Sequence, residues 1–150
     1  MKTSSRLVLL LALLLVAPAL AATGLGSAES NDGFTIELMS VERKGNILTV
    51  KWSVRSNNEK NKHYDIDLKG SSATSYLVDE ESGTKYYALT DKEGNLLATE
   101  TEYDGIWESM DPGETKRFWA KFPAPPPAVK TINILFTKSE PFESIAITDK

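Results

Sequence analysis

Eight residues restrict the fold more than any other stretch of the chain. Leu48, Val50, Trp52 and Val54 alternate with Thr49, Lys51, Ser53 and Arg55. Successive side chains of a β-strand point to opposite faces, so this two-residue period predicts a strand with one buried and one wet face. Phe34, Ile36 and Leu38 alternate with Thr35 and Glu37 in the same way, and Lys44-Gly45-Asn46 lies between the two runs. Two alternating runs joined by a Gly-Asn turn predict a hairpin.

The pattern continues. Residues 56–62 (SNNEKNK) read as a polar loop, followed by short strand candidates at 65–68, 76–78 and 84–89. Asp111-Pro112-Gly113 is a turn signal. Phe118, Ala120 and Phe122 then share one phase, and Ile132, Ile134 and Phe136 another. Ile145 and Ile147 read as an edge strand open to pairing between chains, which makes dimerisation a possible outcome. With no amphipathic helix and no tandem repeat, this spacing predicts an all-β fold, an antiparallel β-sandwich over residues 34–150.

The first residues predict export. Lys2 and Arg6 precede an unbroken apolar run from Leu7 to Val16, and Ala19-Leu20-Ala21 is a small-residue cleavage pattern. Residues 1–21 therefore read as a secretory signal peptide. The apolar run is about ten residues, where a helix needs about twenty to span a bilayer. An uncleaved anchor is the alternative, but no stable membrane insertion is expected after cleavage. Residues 22–33 are small, polar and Gly-rich and read as a flexible leader. The protein is then periplasmic or extracellular.

Charge and cysteine narrow the chemistry. Of 17 cationic residues Lys2 and Arg6 leave with the signal, so 15 face 21 acids, a net charge of about −6. Such a chain repels phosphate backbones, and nucleic acid is not an expected partner. There is no cysteine, hence no disulfide and no thiol nucleophile. Zinc lacks ligands, with one histidine, His63. Copper at His63, Met39 and Met110 has no local motif, and Met39 reads as core filling. His63 reads as a solvated loop residue. No G-x-S-x-G elbow is present to organise a triad. A hydrolase built on two carboxylates remains an alternative, although nothing in the sequence selects the pair.

Two acidic stretches raise a metal question. Asp79-Glu80-Glu81-Ser82-Gly83 and Asp91-Lys92-Glu93-Gly94-Asn95 both combine acids with glycine. The simpler reading is two chain reversals, since glycine takes the positive φ that a tight turn requires. The alternative is a calcium-stabilised module using Asp79, Glu80, Asp91 and Glu93. A helix-flanked calcium loop is a poor match, because Leu96 occupies the position of its obligatory glycine.

The turns also carry a resemblance. Tyr76-Leu77-Val78-Asp79 with Ser82-Gly83-Thr84-Lys85-Tyr86, then Asp91-Lys92-Glu93-Gly94, then Pro112-Gly113-Glu114, then Phe122-Pro123-Ala124-Pro125-Pro126, and finally Pro141-Phe142 with Ile145-Ala146-Ile147, follow one another in this order. The order resembles a group of exported bacterial immunoglobulin-like β-sandwich domains, some standing alone and some beside OmpA-type domains. It covers most of residues 34–147. The resemblance implies an antiparallel immunoglobulin-like sandwich and no catalytic motif, and no OmpA-type peptidoglycan-binding segment is present to carry over.

The aromatic residues are the binding candidates. Trp52 shares the apolar phase of its strand and reads as the core tryptophan. Trp119 falls in the opposite phase to Phe118, with Arg117 and Lys121 on either side in its own phase. It reads either as covered by a loop and its neighbouring cations, or as an exposed anchor for a protein or glycan. Tyr103 and Trp107 form a second candidate, read as lying on a loop. Residues 122–127 (FPAPPP) read as a stiff connector, with a polyproline ligand as the alternative. The expected function is an exported, non-catalytic binding or accessory module for an unknown protein or cell-envelope partner. Its contact residues would be Tyr103, Trp107, Arg117, Trp119 and Lys121, and no cofactor is implied.

Overall fold

The alternating runs become strands, and an extra residue in one of them resets its phase. The computed structural model describes residues 24–70, 74–99 and 102–150. Among these are eleven strands and no helix. The predicted hairpin is β2 (Phe34–Lys44) and β3 (Ile47–Ser56), closed by Gly45-Asn46. Their register runs from Phe34↔Ser56 to Leu38↔Trp52, then jumps to Ser40↔Lys51. Met39 is the additional residue of this bulge. It is 41% exposed rather than core filling. Beyond it the inward phase passes from Phe34, Ile36 and Leu38 to Val41 and Arg43. A β-bulge produces such a reversal because side chains alternate with period two.

The first layer is β1 (Gly26–Glu29), β2, β3 and β8 (Thr115–Pro123), in that order. β11 (Thr148–Asp149) joins β2 in parallel beside Glu42 and Arg43. The glycine-rich stretch read as flexible leader thus contains a strand, with Gly26 opposite Leu38 and Glu29 opposite Thr35. Small side chains let it lie close: the Cβ of any residue at position 26 would sit 3.3 Å from the ring of Phe142. The remainder of that stretch up to residue 23, and residues 1–21, lie outside the described residues.

The second layer has two parts. One is β10 (Phe142–Ala146), β9 (Thr131–Leu135), β5 (Tyr76–Val78) and β6 (Lys85–Tyr86). The other is a ribbon of β4 (Lys62–Asp67) and β7 (Gly105–Met110). Both press on the inner face of the first layer. Trp52 meets Phe136, next to β9, at 4.8 Å between ring centroids. Tyr64 of β4 meets Phe118 at 5.3 Å and Phe34 at 5.5 Å. The indole Nε1 of Trp52 donates to the Tyr64 hydroxyl at 3.3 Å, and burial drives the Tyr64 pKa upward. Trp52 is fully buried, as its phase predicted. Ile145 and Ile147 also face inward and are nearly buried, while β10 ends its sheet.

Close approach fixes the ribbon. At Gly105 an added Cβ would stand 2.0 Å from the carbonyl oxygen of Ile66, so only glycine lets β7 reach β4 here. The proline stretch is the connector between β8 and β9, held by one buried cation. The Arg43 guanidinium donates to the carbonyl oxygens of Pro125, Pro126, Pro127 and Val129 at 2.9–3.4 Å, and its Nε donates to Asp149 at 2.5 Å. These connector carbonyls lie outside any strand ladder, and the five-donor guanidinium supplies them with donors. That bond holds the Asp149 carboxyl below the usual carboxylate range.

Candidate functional site

Arg117, Trp119 and Lys121 lie on β8 with the solvent phase outward, as their alternation predicted. In the register of β3 and β8, Trp119 stands opposite Lys51, Arg117 opposite Ser53, Lys121 opposite Thr49 and Thr115 opposite Arg55. Residues two apart on a strand are about 7 Å apart, and directly opposed residues are about 5 Å apart. Trp119 therefore has a cation on either side along its strand and a third across from it. It is 37% exposed, and the Lys121 ammonium sits 5.8 Å from its ring centroid. Lys51 makes an exposed ion pair with Glu42 at 3.6 Å. Among the described residues, none of Arg55, Arg117 and Lys121 forms an ion pair.

The outer edge of β8 is not open. Lys121 N donates to Leu97 O at 2.9 Å and Thr99 N to Trp119 O at 2.8 Å, so residues 97–99 run along it. The Thr99 hydroxyl accepts from Trp119 N at 2.6 Å. Both edges of β8 are thus occupied, and the tryptophan backbone is fixed from two sides.

Trp107 belongs to strand β7, not to a loop, because the TEYDGIWESM stretch turns at Glu102–Gly105 and then pairs with β4. It faces outward opposite Asp65 and is 47% exposed. His63 lies on β4 rather than in a loop, and its ring stacks on that of Trp107 at 3.8 Å and 11°. Tyr103 sits in the adjoining turn at φ 57°, 90% exposed. Tyr103 and Trp107 line a shallow cleft of about 230 Å³ with Asp65, Asp67, Glu102 and Asp104. Lys138 binds Asp65 through both carboxylate oxygens at 2.6 and 2.8 Å and lies 3.5 Å from Asp32. The hydrogen bond to Asp65, followed by the charges of Asp65 and Asp32, holds the Lys138 ammonium above the usual lysine range.

The five candidate contact residues are thus two groups on different faces. The inward residues of β4 and β8, Tyr64 and Phe118, meet in the core, so Trp107 and Trp119 point away from each other. The sequence reading missed Lys51 and Arg55 as neighbours of Trp119. Their polar phase on β3 was visible, but the pairing of β3 with β8 was not. It missed the His63–Trp107 stack for the same reason.

The acidic stretches are two separate reversals, each built around one aspartate. Asp79 accepts from the Ser82 hydroxyl at 2.6 Å and from Glu81 N at 3.2 Å, and Gly83 N closes back to Asp79 O at 2.8 Å. Gly83 has φ 69°, the conformation that favoured glycine there. Asp91 accepts from Asn95 N, Asn95 Nδ2 and Glu93 N at 2.8–2.9 Å. These bonds, that from the Asn95 side chain first, hold the Asp91 carboxyl below the usual range. Asp79 and Glu80 line a cleft of about 370 Å³ with Glu81, Lys130 and Asn133, which Asp91 and Glu93 do not reach. Among the described residues no three Asp, Glu or His side chains stand close enough to share a metal ion. The convergence of Asp79, Glu80, Asp91 and Glu93 on one ion is not met, because each aspartate is turned inward to its own loop.

No protein-family model matches the chain, and neither a curated protein nor a solved structure matches it.

Proposed function

We propose that this chain is an exported, immunoglobulin-like binding module that holds a cell-envelope partner on the outer face of β3 and β8 and performs no covalent chemistry. One observation carries the reading. Trp119 is a half-exposed aromatic fixed on a strand with both edges paired, and it is surrounded by Arg117, Lys121 and Lys51. An aromatic plane and arginine are the side chains that most often dominate recognition, and a rigid strand presents them at little ordering cost. The immunoglobulin-like assignment is supported by two face-to-face layers closed over a central-strand tryptophan.

The test is cell fractionation. The double variant R117E/W119A is expected to leave the envelope fraction for the soluble one while keeping the circular dichroism of the parent. Unchanged retention of a folded double variant would overturn the reading.

A further inference from the structure

We propose that the outer face of β3 and β8 binds an acidic polysaccharide, a sugar polymer bearing carboxylates. This names the ligand class of the site described above and rests on that reading. The aromatic component comes first. The C–H face of a pyranose ring is flat and slightly positive, and it complements the negative face of an indole. Trp119 supplies one such ring on the outward phase of β8, 37% exposed.

The charge component lies on both sides of it. Arg117 and Lys121 are each two residues from Trp119 along the strand, with Lys51 directly across and Arg55 further along the same neighbour. A sugar stacked on the indole places its neighbours in the polymer over Arg117 and Lys121. Guanidinium meets carboxylate as a two-pronged hydrogen-bond donor, and ammonium meets it as a point charge. Glu42 pairs with Lys51 and Glu37 stands opposite Ser53 on the neighbouring strand, so the positive charge is concentrated on the β8 side of this face, at Arg117 and Lys121, on a chain whose formal net charge is −4.

The shape selects among anions. Single-stranded nucleic acid is held by successive aromatic platforms, and this strip has one. A peptide anchor needs a desolvated pocket, and the depression beside Arg55 holds only about 120 Å³. A flat sugar chain needs neither.

The experiment titrates the purified protein, by calorimetry, with polygalacturonate, with the same polymer fully methyl-esterified, and with oligodeoxythymidylate. Polygalacturonate is expected to bind. The esterified polymer is expected to bind at least about tenfold more weakly, with the loss of the charge contacts. W119A, with all cations retained, is expected to weaken polygalacturonate about tenfold or more through lost stacking. Equal binding of the esterified polymer, tighter binding of the oligonucleotide, or an undiminished W119A overturns the inference. If no polymer binds while R117E/W119A still leaves the envelope fraction, the glycan class falls and the binding face stands.

Discussion

Trp119 and Trp107 are exposed to similar degrees, 37% and 47%, and each stands in the solvent phase of an antiparallel strand. Their surroundings differ. Around Trp119 the charged neighbours are Arg117, Lys121 and Lys51, and its strand is paired on both edges. Around Trp107 the cleft is acidic, one ring face is taken by His63, and the strand belongs to a two-stranded ribbon. Exposure alone therefore does not identify a binding residue. Trp107 has already found an aromatic partner within the chain, and its acidic neighbour Asp65 has found Lys138. Among the described residues, the Trp119 ring has no aromatic partner and a loose cation contact with Lys121. The face with fewer internal partners has more to offer an external one.

Both faces depend on the two layers being joined, and Trp52 joins them. Its ring contacts Phe118 below one face and Phe136 in the opposite layer, and its N–H reaches Tyr64 beneath the ribbon. Trp52→Ala is expected to cost about 3–5 kcal/mol, from lost burial and the cavity left behind. Urea unfolding checks the magnitude. A loss below about 1 kcal/mol would mean that the layers are held apart from this residue, and the two faces would then be independent units.

Gly105→Ala separates the faces instead of losing both. The new methyl group would meet the Ile66 carbonyl, so β7 must move away from β4, at a cost of about 1–3 kcal/mol. Local opening is expected to appear first as faster hydrogen exchange in β4 and β7, with β3 and β8 still protected. Equal acceleration throughout would show that the ribbon and the main sheet open together.

Much of this architecture was legible because it is local. Period two located β2, β3, β8 and β9, and turn residues located the reversals at Gly45-Asn46, Gly83 and Asp111-Pro112-Gly113. What the sequence did not disclose depends on pairing between distant segments. β1 looked like a leader because Gly26, Ser27 and Ala28 have low strand propensity, and its strand exists only because β2 accepts it. Trp107 looked like a loop residue because its alternation is short and its partner β4 lies some forty residues earlier. Arg43 gave no signal of being a buried clamp, since its carbonyl acceptors come from residues 125–129. The candidate site was half legible: the phase of Arg117, Trp119 and Lys121 was readable, and the cross-strand Lys51 was not.

The smallest expected effect concerns what holds the acidic face together. Lys138 is bound by Asp65 and lies near Asp32, and its pKa is raised in the folded protein above the ordinary 10.5. A lysine whose folded pKa exceeds its unfolded value adds stability in full below the unfolded pKa. That addition falls away as pH rises through the higher folded one. Thermal melting of the parent is therefore expected to be flat with respect to this group up to about pH 10, and to decline above that. The Lys138→Met variant is expected to lose this group's share of the alkaline decline, because it has no ammonium to titrate. The change is small, since the pair is partly solvated and screened. The same substitution leaves Asp65 and Asp32 without their cation, so salt is expected to raise the variant's melting temperature more than the parent's. Identical alkaline slopes in parent and variant would mean that Lys138 does not hold the acidic face. Trp107 would then owe its position to the His63 stack and the strand pairing alone, which would narrow the contrast with Trp119 to the charge of their neighbours.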